Sequence, residues 1–370
     1  MNKERIFRFL LLTLPLVLLC LVQTNNLTAQ TVSNPTAVKK YKVAIFAPLY
    51  LDSVYSEKGT FKYKDAIPKF IQPGLDFVHG AEIALDSMIL FEENLDATIY
   101  DTKSRTQSVA QLIKSKKLDS LDLIIGSVRD SELKQLADFA LLKNIPFISS
   151  TFPNDGGINK NPFMVLVTST LKAHCEAIYS YILQNHGTDK IFLCRKNGSQ
   201  EDKVASYFKL LNEQDGKPLL NIKTINFDST VSKEQIQNFL DSNRQTIIIG
   251  GSLDETFATN LTKAAYSLNG QFPITLIGMP NWDGFKALMK KDDFSDFPVY
   301  FTTPYFNGKW DSYSKMLTNG YNKKFKSKPS DMAFKGFECT YLFTKLLVKY
   351  PDDMMSHLND KRIRNESNVL

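Results

Sequence analysis

The sequence is poor in the residues that most often perform chemistry. Four histidines (His79, His174, His186 and His357) and four cysteines serve 370 residues, and none of them fall at the close spacings of a metal site. His79 and His174 lie in helical patterns, where a packed or surface role is expected. No Gly-x-Ser-x-Gly, phosphate-loop or His-Glu-x-x-His pattern occurs, and Asp352–Asp353 are sequence neighbours that need not share a face. Together these absences argue against an enzyme and against a cofactor or metal. Charge of either sign is also scarce in concentrated form. "VKKYK" and "NKKFKSK" are the only basic clusters and read as solvated surface, so nucleic acid is not indicated. Beyond residue 30 no run is long and apolar enough to span a bilayer.

The first 30 residues stand apart. Lys3, Arg5 and Arg8 precede the apolar run "FLLLTLPLVLLCLV", which gives way to the polar "QTNNLTAQ". That order is a secretory signal, with cleavage expected near Ala29–Gln30. Lipidation of Cys20 is the alternative, disfavoured because Leu19 is large where such sites carry a small residue. Both readings take the chain out of the cytoplasm to the periplasm, and lipidation would add an anchor. Removing residues 1–30, with three basic and one acidic residue, lowers the formal charge from +6 to +4. Cys175, Cys194 and Cys339 remain, either with one pair bridged or as buried free thiols.

What is present is alternation. From Tyr41, apolar strand-like runs ("KVAIFAPL", "ATIYD", "LDLIIG", "IPFISS") alternate with helical ones such as "GLDFVHGAEIALDSMILFEE" and "SELKQLADFALLKN". The pattern then restarts with "FMVLVTS", "KIFLC", "IKTINF", "TIIIGG" and "PITLIG", separated by further helical stretches. Continuous Val/Ile/Leu runs between helices predict parallel strands buried on both faces, hence α/β architecture with two similar sheets. One device occurs twice: "LIIGSVRDSELKQLADFA" and "IIIGGSLDETFATNLTKAA" both pass from strand through glycine and a Ser/Asp/Glu loop into a helix. Loops at the carboxyl ends of parallel strands form ligand crevices, with helix N–H groups directed into them. Gly126 and Gly250–Gly251 are expected to make tight turns. The local reading of these loops is capping: Ser252 and Glu255 match a capping box, and Ser127 with Asp130 comes close to one.

The chain resembles the type 1 periplasmic binding proteins, in particular the leucine/isoleucine/valine receptors of ABC importers. The segments that carry this are "GAEIALDSM", "YDTKSRTQSVAQLI", "LIIGSVRDSE", "IPFISSTFP", "NPFMVLVTSTLKAHCEAIYSYIL" and "IIIGGSLDET…LIGMPNW", in order, between about Val43 and Tyr350. The resemblance implies two lobes joined by three crossovers, with a small ligand closed between them and an ABC permease as partner. It implies that hydroxyls at Ser127, Ser131, Ser150 and Thr151 hold an α-carboxylate. An acidic residue after the second lobe's Gly-Gly would hold the α-ammonium, by offset Glu255 with Asp254 beside it. Trp282 would cap the cleft or pack at the hinge. The expected division is a signal over 1–30, lobe 1 over 41–163, lobe 2 over 164–280, a return to lobe 1 over 281–352, and a tail, 353–370. Crossovers are expected at Asn161–Val167 and Gly278–Asn281.

Several features depart from that pattern. Arg129 stands where a small or apolar residue is usual, and pairing with Asp130 or facing solvent is favoured over reading an acidic ligand side chain. The segment "YLDSVYSEKGTFKYKDAIPKFIQPG" is long and aromatic, either a lid or a surface excursion packed on itself. The tail lacks the last strands used to return to the second lobe, as in a divergent or shortened chain. An exported receptor that senses or scaffolds without a transporter is the alternative function, and neighbouring permease and ATPase genes discriminate the two.

Overall fold

The computed structural model describes residues 39–360 apart from 65, 91–93, 159, 229, 289–293 and 295. The expected export signal, Cys20 and the last ten residues of the tail lie outside the described residues. Two five-stranded parallel sheets organise the fold. The first holds β1 (Tyr41–Ala47), β2 (Leu95–Asp101), β3 (Leu123–Gly126), β4 (Phe147–Ser149) and β5 (Met164–Leu166), in the spatial order β2-β1-β3-β4-β5. The second holds β6 (Lys190–Lys196), β9 (Ile222–Phe227), β10 (Thr246–Gly250), β11 (Ile274–Gly278) and β12 (Val299–Phe301), in the order β12-β11-β10-β6-β9. Read in chain order within each lobe, both sheets run second, first, third, fourth, fifth. A short hairpin, β7 (Glu213–Gln214) with β8 (Lys217–Pro218), stands outside them.

Strand alternation builds the first lobe's core. In β1, Val43, Ile45 and Ala47 face one side and Ala44 and Phe46 the other, and all five are fully buried. The first face packs on α10 (Asp331–Lys349) through Phe343 and Leu346. The second packs on α4 (Asp130–Lys143) through Leu133 and Leu136. β3 and β10, "LIIG" and "TIIIG", are buried along their whole length, as strands covered by helices on both faces must be. α10 crosses α2 (Gln72–Leu90) at two glycines. A Cβ on Gly80 would meet the Ala333 carbonyl, and one on Gly336 would meet the Phe77 carbonyl, so the two backbones approach without side chains between them.

The remaining helices are α1 (Leu51–Val54), α3 (Val109–Lys114), α5 (Leu171–Asn185), α6 (Ser199–Asn212), α7 (Lys233–Gln237), α8 (Glu255–Tyr266) and α9 (Ser312–Phe325). Capping boxes do form, at Ser108/Gln111 before α3 and Ser232/Gln235 before α7. The aromatic loop after β1 packs on itself, with Tyr55 against Phe61, Phe61 against Tyr63, and Tyr50 edge-on to Phe70. Its start is fixed by Asp101, whose carboxylate accepts from the N–H groups of Leu49, Tyr50 and Leu51. Cys175, Cys194 and Cys339 are buried free thiols, and burial pushes the Cys175 and Cys339 thiols up to about 12.

The expected crossovers and lobe boundaries change. The chain does not leave the second lobe at Gly278–Asn281. There β11 turns through a 3-10 turn (Pro280–Gly284) and returns to the same sheet as β12, which pairs parallel with β11. The division at 280 is therefore replaced by one beyond Phe301, after which α9 and α10 pack against α2. The division expected at 163 moves too: Met164–Leu166 pairs with β4 as the last strand of the first sheet, so the forward crossover follows Leu166 and does not begin at Asn161.

Candidate functional site

The repeated loops occupy equivalent places. β3 and β10 are each the third strand of their lobe, beside the point where strand order reverses, and each feeds a helix from its carboxyl end. In such sheets that is where ligands bind.

In the first lobe, Ser127 Oγ and Thr151 Oγ1 lie 3.1 Å apart as a hydrogen-bonded pair. The backbone holds both loops in place: Ser127 N–H donates to Phe46 O at 2.8 Å and Ser150 N–H to Gly126 O at 2.9 Å. The near capping box at Ser127 does not form. The N-cap of α4 is Arg129, without a side-chain cap, so N–H groups of the first turn remain open to an anion. Arg129 and Asp130 face solvent with 3.7 Å between their charged groups. Ser131 is exposed on the first turn of α4. Ser150 is fully buried and turned away from the pair, beside the Cys339 thiol.

The second loop is braced from three directions. Ser252 Oγ donates to the buried Glu201 Oε1 at 2.6 Å and accepts from Asp254 N–H at 3.2 Å, and it does not cap α8 with Glu255. Asp254 caps instead, with Oδ1 accepting from Phe257 N–H at 2.8 Å and Oδ2 paired with Lys196 Nζ at 3.1 Å. These contacts, the Phe257 N–H foremost, hold the Asp254 carboxyl below the usual range. Asn281 Nδ2 donates to Leu253 O at 2.7 Å, and Trp282 Nε1 to Ser252 O at 2.9 Å. Trp282 is fully buried in the second lobe's core, packed where Gly250 and Gly278 have no Cβ. It supports the loop from beneath, which is the hinge-packing reading and not a cap over the cleft. Gly126, Gly250 and Gly251 have no positive φ. Their value is close packing, Gly250 on Trp282 and Gly251 on Leu193. Glu255 is exposed at the start of α8 and makes no hydrogen bond or ion pair with any described residue.

Sequence reasoning missed Glu201, Lys196 and Asn281. Lys196 ends β6 and Glu201 opens α6, so the rule about carboxyl ends of strands would have pointed to both.

The crossovers meet beside α10. A cavity of about 240 Å³ there is lined by Ser150, by Val167–Ser169 of the forward crossover, by Thr303–Phe306 of the return, and by Lys335, Glu338 and Cys339. Glu338 accepts from Asn307 Nδ2 at 2.5 Å and Tyr305 Oη at 3.1 Å, which ties α10 to the return crossover. His174 Nδ1 lies 2.8 Å from Thr302 Oγ1, tying α5 to the same crossover, and burial lowers the His174 pKa.

Burial, opposed by the Tyr305 and Asn307 donors and the nearby Lys335 and added to by Asp311, pushes the Glu338 carboxyl up to about 7. The folded state then holds a proton that the unfolded chain releases from about pH 4.5. This group's stability contribution is full below that value and is lost as pH rises to about 7. The difference amounts to about 3 kcal/mol. Glu338→Gln is expected to remove that component. Urea stability of wild type minus variant should fall by about 3 kcal/mol between pH 4.5 and pH 8, whereas parallel profiles would contradict the assignment.

Against known proteins, the family model described as periplasmic binding protein matches residues 72–357. No curated protein matches the chain. Solved structures share the fold at low identity. A putative branched-chain amino acid ABC transporter protein from Rhodospirillum rubrum superposes with a TM-score of 0.60 at 11% identity, covering 85% of this chain and 86% of its own. A branched-chain amino acid ABC transporter periplasmic ligand-binding protein from Burkholderia xenovorans gives 0.56 at 11%, covering 86% and 82%. An ABC transporter substrate-binding protein from Desulfitobacterium hafniense gives 0.55 at 13%, covering 87% and 89%. With a family model spanning most of its length and two sheets of like strand order, the chain belongs to the periplasmic binding protein family.

Proposed function

We propose that this chain is the exported solute-binding component of an ABC importer, with a zwitterionic amino acid or small derivative as ligand and a permease as partner. One observation carries the reading. The Ser127–Thr151 hydroxyl pair joins the loops after the third and fourth strands of the first lobe, and the unpaired Glu255 ends the third-strand loop of a second lobe built alike. Hydroxyls and open helix N–H groups suit a carboxylate, and a free carboxylate suits an ammonium. Support also comes from the Rhodospirillum and Burkholderia proteins, both described as belonging to branched-chain amino acid ABC transporters. Asp254 is committed to capping α8 and to Lys196, so Glu255 takes the ammonium alone. Residues 1–30 act as the export signal. A calorimetric panel of amino acids and neutral sugars, run on the chain from Thr31 onward, tests this. Saturable binding of an amino acid is the expected result, and tight binding of a neutral sugar with none of any amino acid is the contrary one.

A further inference from the structure

The cavity at the meeting of the crossovers is not used by the reading above. Its volume, about 240 Å³, falls short of the roughly 300–1,000 Å³ of a complete small-molecule pocket. It suits one functional group of a ligand whose main body lies elsewhere.

The polar lining divides into a satisfied half and an open half. Glu338 is satisfied, with one oxygen taken by Asn307 and the other by Tyr305. Lys335 is open: its Nζ lies 5.0 Å from the centroid of the Tyr305 ring, and it makes no hydrogen bond or ion pair with any described residue. Asp331, one turn earlier on α10, faces Lys309 at 3.5 Å. Ser150 is open too: it is 0% exposed, and its Oγ has no hydrogen-bond partner among the described residues. A buried hydroxyl without a partner and a half-buried ammonium held only by the face of the Tyr305 ring both cost free energy, and one carboxylate entering the cavity would satisfy both. Phe306 lines the same space and is 67% exposed, an apolar surface for the methylenes that would carry such a group.

We propose that the hinge cavity is a subsite for a second, side-chain carboxylate of the ligand, read by Lys335 and Ser150. The binding protein would then prefer dicarboxylic amino acids to neutral ones. The proposal rests on the amino-acid reading of the cleft and names the class of amino acid. Ser150 and Thr151 are consecutive, so the cavity adjoins the loop that carries the hydroxyl pair. Burial lowers the Lys335 pKa, and an anion beside it would oppose that shift.

The test is calorimetry on the full chain with three probes, L-glutamate, its neutral isostere L-glutamine, and glutarate, which lacks the amine. Wild type is expected to favour glutamate over glutamine. Lys335→Met should weaken glutamate by about thirtyfold or more and leave glutamine unchanged, the effect of truncating one partner of a buried charge pair. Ser150→Ala should weaken glutamate by about tenfold or more, and it carries the test if Lys335→Met does not fold. Equal binding of glutamate and glutamine, or glutamate affinity untouched in the variants, overturns the subsite while the amino-acid reading stands. Lys335-dependent binding of glutarate, with neither amino acid bound, supports the subsite and overturns the amino-acid reading. Silence towards all three overturns the subsite.

Discussion

Glu255→Gln is expected to weaken the amino-acid ligand by about 30-fold or more, that is about 2–5 kcal/mol, with little change in stability. The substitution keeps the shape of the side chain and removes its charge. If Glu255 neutralises an ammonium enclosed between the lobes, the ligand's charge is left poorly paired where water is excluded. A capping role predicts unchanged affinity with equally little change in stability, since Gln completes the boxes at Ser108 and Ser232, and the structure removes that role because Asp254 caps α8. The cost to the fold is then limited to the interaction of Glu255 with the helix dipole, about 0.3–1 kcal/mol. Binding isotherms and urea curves on the same preparation check both halves. An unchanged dissociation constant would show that this carboxylate does not touch the ligand.

Trp282→Ala is expected to give the largest loss of stability, about 3–5 kcal/mol from lost burial and the cavity left behind. The indole is fully buried, and its neighbours Gly250 and Gly278 offer no side chains to refill the space. Loss of the Nε1–Ser252 O bond also releases the second loop from below, so ligand affinity should fall as well. Trp282→Phe keeps most of the apolar volume and should cost clearly less. Urea unfolding of the two variants checks this, and equal, small losses would place the indole outside the core.

These cases show what local sequence could and could not reveal. "LIIG" and "TIIIG" were legible as buried parallel strands because covering both faces of a sheet demands unbroken apolar runs. The repeated loops were legible because the same transition from strand to helix recurs. The Ser252/Glu255 spacing of a capping box is a local signal that does not say where the helix starts: α8 begins at Glu255 with Asp254 as its cap, and the Ser252 hydroxyl reaches Glu201, 51 residues away. At Ser108 and Ser232 the same spacing does form boxes, each residue standing at the N-cap position of its helix. The position of the return crossover was hidden for a related reason. "VYF" reads as a strand, but nothing within three residues says which sheet it joins. Ser150 shows the limit for the site itself. Neighbouring hydroxyls at 150 and 151 look interchangeable in sequence, while the backbone turns one inward towards α10 and the other to Ser127.

The central claim is that both charges of a zwitterion are read, one by each lobe. Calorimetric titration of the amino acid that binds best, beside its N-acetyl and carboxyl methyl ester derivatives, tests it most directly. The account predicts that blocking either group weakens binding by at least about 30-fold, since each block leaves a charged or hydrogen-bonding partner unmatched in the closed cleft. Binding of either derivative as tightly as the free amino acid would contradict it.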